Sequence, residues 1–188
     1  MQQKLTHMKL PILLALACAL ILTSCETEPR NVGYDPNVAE AHETLHVVGL
    51  QATANPFRVS EMESTLTQLW EQFAANDFSS EINDIASLSK VYAAYTSYTD
   101  TSVTITVGFR ASSNSDFNED AGLTAVTIPA NNYFLRPVLT EDGSYDAAAW
   151  ELLNTLYFER PRSSADFEEY RLSWNNKLLA GWLWLAAE

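Results

Sequence analysis

The sequence predicts an α+β domain in which duplicated β-α-β-β units form one antiparallel sheet with two helices packed on it. Three observations predict it. Short β-branched segments with alternating apolar residues recur along the chain. Two other segments, VSEMESTLTQLWEQFAAND (59–77) and SYDAAAWELLNTLYFERP (144–161), carry apolar residues at helical spacing. The order strand, helix, strand, strand then occurs twice, with a bridging strand between the copies.

The first strand is TLHVVGLQATA, beginning near Leu45. In the helix after it, Ser60 and Glu63 have the spacing of a capping box, and Met62, Leu66, Leu69, Trp70 and Phe73 form one stripe. KVYAAYTSY and SVTITVGFRAS follow. The second alternates cleanly, with Val103, Ile105, Val107 and Phe109 on one face and Thr104, Thr106 and Arg110 on the other. An acidic, serine-rich loop covers 111–121. LTAVTIP then reads as a strand, Ala130-Asn131-Asn132 as its turn and YFLRPVL as the returning strand. The second helix starts at Asp146, presents Ala149, Trp150, Leu153, Leu156 and Tyr157, and must stop before Pro161. DFEEYRL and LLAGWLWLAA close the chain as strands.

Upstream of these elements the chain reads differently. Lys4, His7 and Lys9 precede an uncharged, almost wholly apolar run, Leu10 to Leu22, too short to span a bilayer comfortably and suited to the core of a secretory signal. The run ends in Leu22-Thr23-Ser24-Cys25, which resembles the bacterial lipobox, the cysteine being lipidated and becoming the first mature residue. The expected organisation is therefore a signal peptide at 1–24, a polar tether at 25–43 and one domain at 44–188. It implies a lipid-anchored, extracytoplasmic protein of the cell or outer membrane. Cleavage removes Lys4 and Lys9 and no acid, so the mature chain is more acidic than the formal −13 of the whole sequence. Such a surface repels nucleic acid. Cys18 leaves with the signal, and Cys25 would be acylated, so no disulfide holds the fold.

One motif points elsewhere. HETLH, residues 42–46, fits H-E-x-x-H, which on a helix places two zinc ligands and a general base on one face. Here it runs straight into Val47, Val48 and Gly49, the start of a strand, and the mature chain holds no third histidine. No metal and no cofactor are expected, and histidine-based catalysis in the core is excluded.

The segments VVGL, LWEQF, VYAAYTSY, VTITVGF, AVTIPANNYF, AAWELL, DFEEY and LWLAA resemble, in order and spacing, the GyrI-like family, also called the AraC-type effector-binding domain. The resemblance covers roughly residues 45–188, and its most specific pieces are Val126 to Tyr133 and Asp166 to Tyr170. It implies a small-molecule receptor whose sheet and helices enclose an aromatic-lined cavity for amphipathic, often cationic compounds. A carboxylate on the strand matching DFEEY sits at the centre of such cavities, and that acid is Glu168. By strand alternation Glu168, Tyr170 and Leu172 share one face, and Phe167, Glu169 and Arg171 the other. Trp184 corresponds to the closing aromatic of the last strand; Trp70, Trp150 and Tyr92 complete the expected ligand-binding set.

The chain departs from the family at Asn131-Asn132, where glycine is frequent, and at Arg136-Pro137, where apolar residues are common; Arg136 is placed to neutralise Glu168. Family members serve as effector domains, gyrase inhibitors, resistance proteins and, in a few cases, hydrolases of strained rings. A tethered ligand-binding module is the favoured reading. An enzyme using Glu168 as base and a structural lipoprotein with no ligand are the alternatives.

Overall fold

The computed structural model describes residues 39–138, 164–173 and 178–187. Among these residues eight strands form one antiparallel sheet: β1 Ala39–His42, β2 Leu45–Ala54, β3 Lys90–Thr96, β4 Val103–Arg110, β5 Thr124–Ile128, β6 Asn131–Pro137, β7 Asp166–Leu172 and β8 Leu178–Ala186. Their spatial order is β1-β6-β8-β7-β3-β4-β2-β5. The α+β class stands. One helix, α1 (Val59–Ala75), lies among the described residues and packs on β2 and β4 through Met62, Leu66, Leu69 and Phe73. The second predicted helix, with Trp150, falls outside the described residues. The spatial order β6-β8-β7 parallels β2-β4-β3, but strand order alone does not establish the expected duplication of a β-α-β-β unit.

Four local expectations give way to the observed structure. Asn131 and Asn132 are not a turn. They begin β6, because they pair with His42 and Ala41 of β1. For the same reason β5 and β6 are no hairpin: β5 pairs with β2, and β6 with β8 and β1. β1 itself occupies residues that read as tether. Finally, α1 starts at Val59 with Arg58 at the N-cap position and no side-chain cap, so Ser60 lies inside the first turn. The chain is turned before it reaches the serine: the Asn55 side chain accepts from the Phe57 amide at 2.9 Å, and Glu61 accepts from the Asn55 amide at 3.0 Å.

The sheet curls on itself. Only Glu43 and Thr44 separate β1 from β2, and only Pro129 and Ala130 separate β5 from β6. Because β1 lies on β6 and β2 on β5, these two bent ribbons bring the ends of the sheet together. Both faces are consequently buried. The outer face, under α1, carries Val48, Val91, Ala93, Ile105, Val107 and Leu183. The inner face carries Leu45, Val47, Tyr92, Ile128, Tyr133 and Phe167.

Glycine permits the tightest crossing in this sheet. Gly49 and Gly108 are register partners, and a Cβ on Gly49 would lie 1.9 Å from the Val107 carbonyl oxygen. No L-residue with a side chain fits there without backbone movement.

Candidate functional site

β7 is the centre of the arrangement. It carries three acids, Asp166, Glu168 and Glu169, all buried, and each accepts a hydrogen bond from a tyrosine. Tyr98 donates to Asp166 at 2.7 Å, Tyr170 to Glu168 at 2.6 Å and Tyr92 to Glu169 at 3.3 Å. Burying a carboxyl is costly unless it is hydrogen-bonded, and a phenol is a donor that brings its own apolar ring.

Register decides which face each acid uses. Glu168 stands between Ala93 of β3 and Leu183 of β8, on the outer face of the sheet, the face on which α1 packs against β2 and β4. It is 1% exposed. The Tyr170 ring lies edge-on to Trp70 of α1, with centroids 5.5 Å apart and planes at 89°. Its other side rests where Gly181 has no side chain: a Cβ there would come within 2.8 Å of the Tyr170 ring and 2.7 Å of Val138. Burial, and then the adjacent Glu168 charge, push the Tyr170 phenol well above its ordinary pKa, so it remains a neutral donor to the carboxyl. Arg136 lies on this face too, in register with Leu183, one strand beyond Glu168.

Of the six expected ligand-binding residues, the structure brings Glu168, Tyr170 and Trp70 together. Trp150 lies outside the described residues, as does the lipidation candidate Cys25. Tyr92 and Trp184 belong to the inner face: Tyr92 is paired with Glu169 and Trp184 with Phe167. Trp184 stacks on Phe167, with centroids 5.3 Å apart and planes 9° from parallel, and cannot line the Glu168 face. On β8, alternation gives the Glu168 face to Leu183 and Leu185.

HETLH is not helical. His42 ends β1 and His46 lies in β2, where its Nδ1 is 3.0 Å from Thr127 Oγ1. His42 packs edge-on against Phe167 and Trp184, with both centroid distances 5.0 Å, and more distantly on Tyr133. The pair that a zinc reading needs on one helical face is thus divided between two strands. Among the described residues no group of three or more His, Cys, Asp and Glu side chains is placed to hold a metal.

Sequence reasoning did not single out Gly181 or the inner-face group around Glu169. Alternation correctly put Glu169 opposite Glu168; it gave no sign that the opposite face would also be buried. A separate cavity of about 380 Å³ lies at the C-terminal end of α1, lined by Leu50, Gln72, Asp77, Phe78 and Glu81 among others. It shares no residue with the Glu168 group.

No family model and no curated protein matches this chain. Solved structures do. SAV2435 bound to tetraphenylphosphonium superposes with a TM-score of 0.54 at 11% identity, over 80% of this chain and 93% of that one. The chain shares its fold with SAV2435. The integron cassette protein VCH_CASS2, from the mobile metagenome of Vibrio cholerae, gives 0.50 at 19% identity, over 80% of this chain and 95% of that one. At these identities the likeness is one of fold.

Proposed function

We propose that the protein is a GyrI-like small-molecule receptor that takes amphipathic, cationic aromatic compounds on the α1 face, with Glu168 as counter-charge. It is displayed outside the cytoplasm on a lipid at Cys25. The observation that carries the receptor reading is Glu168, 1% exposed and bound at 2.6 Å by the hydroxyl of Tyr170, whose ring lies edge-on to Trp70 of α1. A carboxylate withdrawn from water interacts strongly with any cation admitted beside it, and indole and phenol rings favour cations over their faces. The likeness to SAV2435, which is described with a lipophilic aromatic cation, supports the same ligand class. The apolar run ending in Leu22-Thr23-Ser24-Cys25 supports the anchor.

Titration with tetraphenylphosphonium, followed by tryptophan fluorescence and calorimetry, tests the receptor reading. Glu168→Gln keeps the shape and removes the charge. At an effective dielectric of about 20, a carboxylate and a cation about 6 to 8 Å apart attract by about 2 to 3 kcal/mol, so affinity for the cation should fall roughly thirty- to a hundredfold. A neutral polyaryl compound of similar size should lose little. Equal losses for both, or no binding of either to the unsubstituted protein, would refute the reading.

A further inference from the structure

The inner face carries a second charged group that the receptor reading does not use. Lys90 and Arg171 are register partners on β3 and β7, an arrangement in which two cations repel. They are held together by one oxygen: Glu169 Oε1 lies 2.8 Å from Lys90 Nζ and 3.5 Å from Arg171 Nε. The Glu169 side chain is 6% exposed, while those of Lys90 and Arg171 are 36% and 55% exposed. A buried acid thus pins two cations that remain partly exposed. The Arg171 guanidinium lies 4.9 Å over the ring of Trp182, the register partner of Glu169, and among the described residues its polar contact is made through Nε, not through the Nη fork. Such a fork beside an ammonium is suited to a phosphate group.

Three further observations choose among phosphates. Trp182 is half-buried beside the fork, and Leu88, two residues before Lys90, is 60% exposed, the one exposed large hydrophobic side chain among the described residues. Indole, leucine, lysine and arginine together make the composition of a membrane-interface contact. β1 enters at Ala39 beside Phe134 and runs to Asn131, so its N-terminal end is the one nearer Pro137, the register partner of Trp182. The N-terminal end of β1 is therefore directed toward the side that bears the patch. The protein as a whole is acidic, with a formal charge of −13, and away from the patch it is repelled by an anionic leaflet.

We infer that Lys90, Arg171, Trp182 and Leu88 form a docking surface for phosphate-bearing anionic lipid headgroups, which turns this end of the sheet toward the membrane. The inference rests on the anchor at Cys25. Two cations bind too weakly to capture a free domain, but a short tether supplies an effective concentration on the order of millimolar, enough for a weak contact to set orientation.

The full acylated chain is reconstituted in vesicles of phosphatidylcholine, with or without phosphatidylglycerol, and acyl chains brominated near the headgroup serve as quenchers of tryptophan fluorescence. Quenching should be stronger in the anionic vesicles, should fall at high salt and should be lost in Trp182→Phe. Each cation near an anionic surface contributes about a factor of five, so Lys90→Gln with Arg171→Gln should lower the docked-to-undocked ratio about twenty-five-fold. Circular dichroism confirms that the variants are folded. Quenching that is equal in both lipids, or unchanged in the double variant, overturns the inference while the anchor stands. Quenching abolished by inorganic phosphate at constant ionic strength assigns the fork to a soluble phosphate and likewise overturns it. Absence of acyl label on Cys25 removes the anchor reading and this inference with it.

Discussion

Each acid of β7 is bound by a phenol, and buried phenols beside these acids, Tyr133 near Asp166 included, respond to that setting. Burial, followed by the Asp166 charge, pushes the Tyr133 hydroxyl up to about 12. Tyr92 and Tyr170 are raised as well, each by burial first and by its adjacent glutamate second. The folded protein therefore keeps protons that the unfolded chain releases near pH 10. Stability should be fully present below about pH 10 and should fall as pH rises from there toward 12. Urea midpoints measured from pH 9 upward check this, and a flat or rising midpoint contradicts it. Tyr133→Phe should remove part of the fall. Its hydroxyl donates to the Pro129 carbonyl at 2.9 Å, so the same substitution should cost about 1 kcal/mol at neutral pH.

Two glycines and one short strand separate the elements that can tolerate change from those that cannot. At Gly49 the obstruction is backbone, the Val107 carbonyl oxygen and Gly108 Cα, so Gly49→Ala should cost about 3 kcal/mol or more and reduce the folded yield. At Gly181 the obstruction is the Val138 and Tyr170 side chains, which can shift. Gly181→Ala should cost about 1 to 3 kcal/mol and disturb the Tyr170 donor to Glu168. Denaturant unfolding of the two variants should rank them in that order. β1 adds a further test. Because His42 lies on three aromatic rings, His42→Ala should cost about 1 kcal/mol, whereas a residue in a solvated tether would cost nothing.

For the molecule as a whole, the anchor and the receptor can be tested separately. Cys25→Ser should abolish acyl labelling and move the protein from the membrane to the soluble fraction, since no helix among the described residues is long and apolar enough to cross a bilayer. Retention in the membrane through an uncleaved Leu10 to Leu22 segment would contradict the lipobox. Tetraphenylphosphonium at a hundred times its dissociation constant should raise unfolding stability by about 2.7 kcal/mol, anchored or not. A melting temperature unmoved by the cation would count against the α1-face receptor.

Local periodicity was sufficient for much of this protein. The alternation of Val103 to Arg110, the stripe of α1 and the separation of Glu168 from Glu169 are properties of chain geometry, since a strand repeats every two residues and a helix every 3.6. They place the α+β class, seven of the eight strands and the Glu168–Tyr170 pair in the sequence itself. Pairing between distant segments is different. That Asn131 and Asn132 continue a strand, that 39–42 forms another, and that β5 leaves its expected partner for β2 all follow from two bent ribbons closing the curl, through contacts far apart in sequence. The same closure buries the second face of the sheet. It therefore separates Tyr92 and Trp184 from Glu168, sets His42 on the Phe167–Trp184 stack and pins Lys90 and Arg171 to Glu169. Side-chain alternation tells which residues share a face; only the path of the whole sheet determines what that face meets.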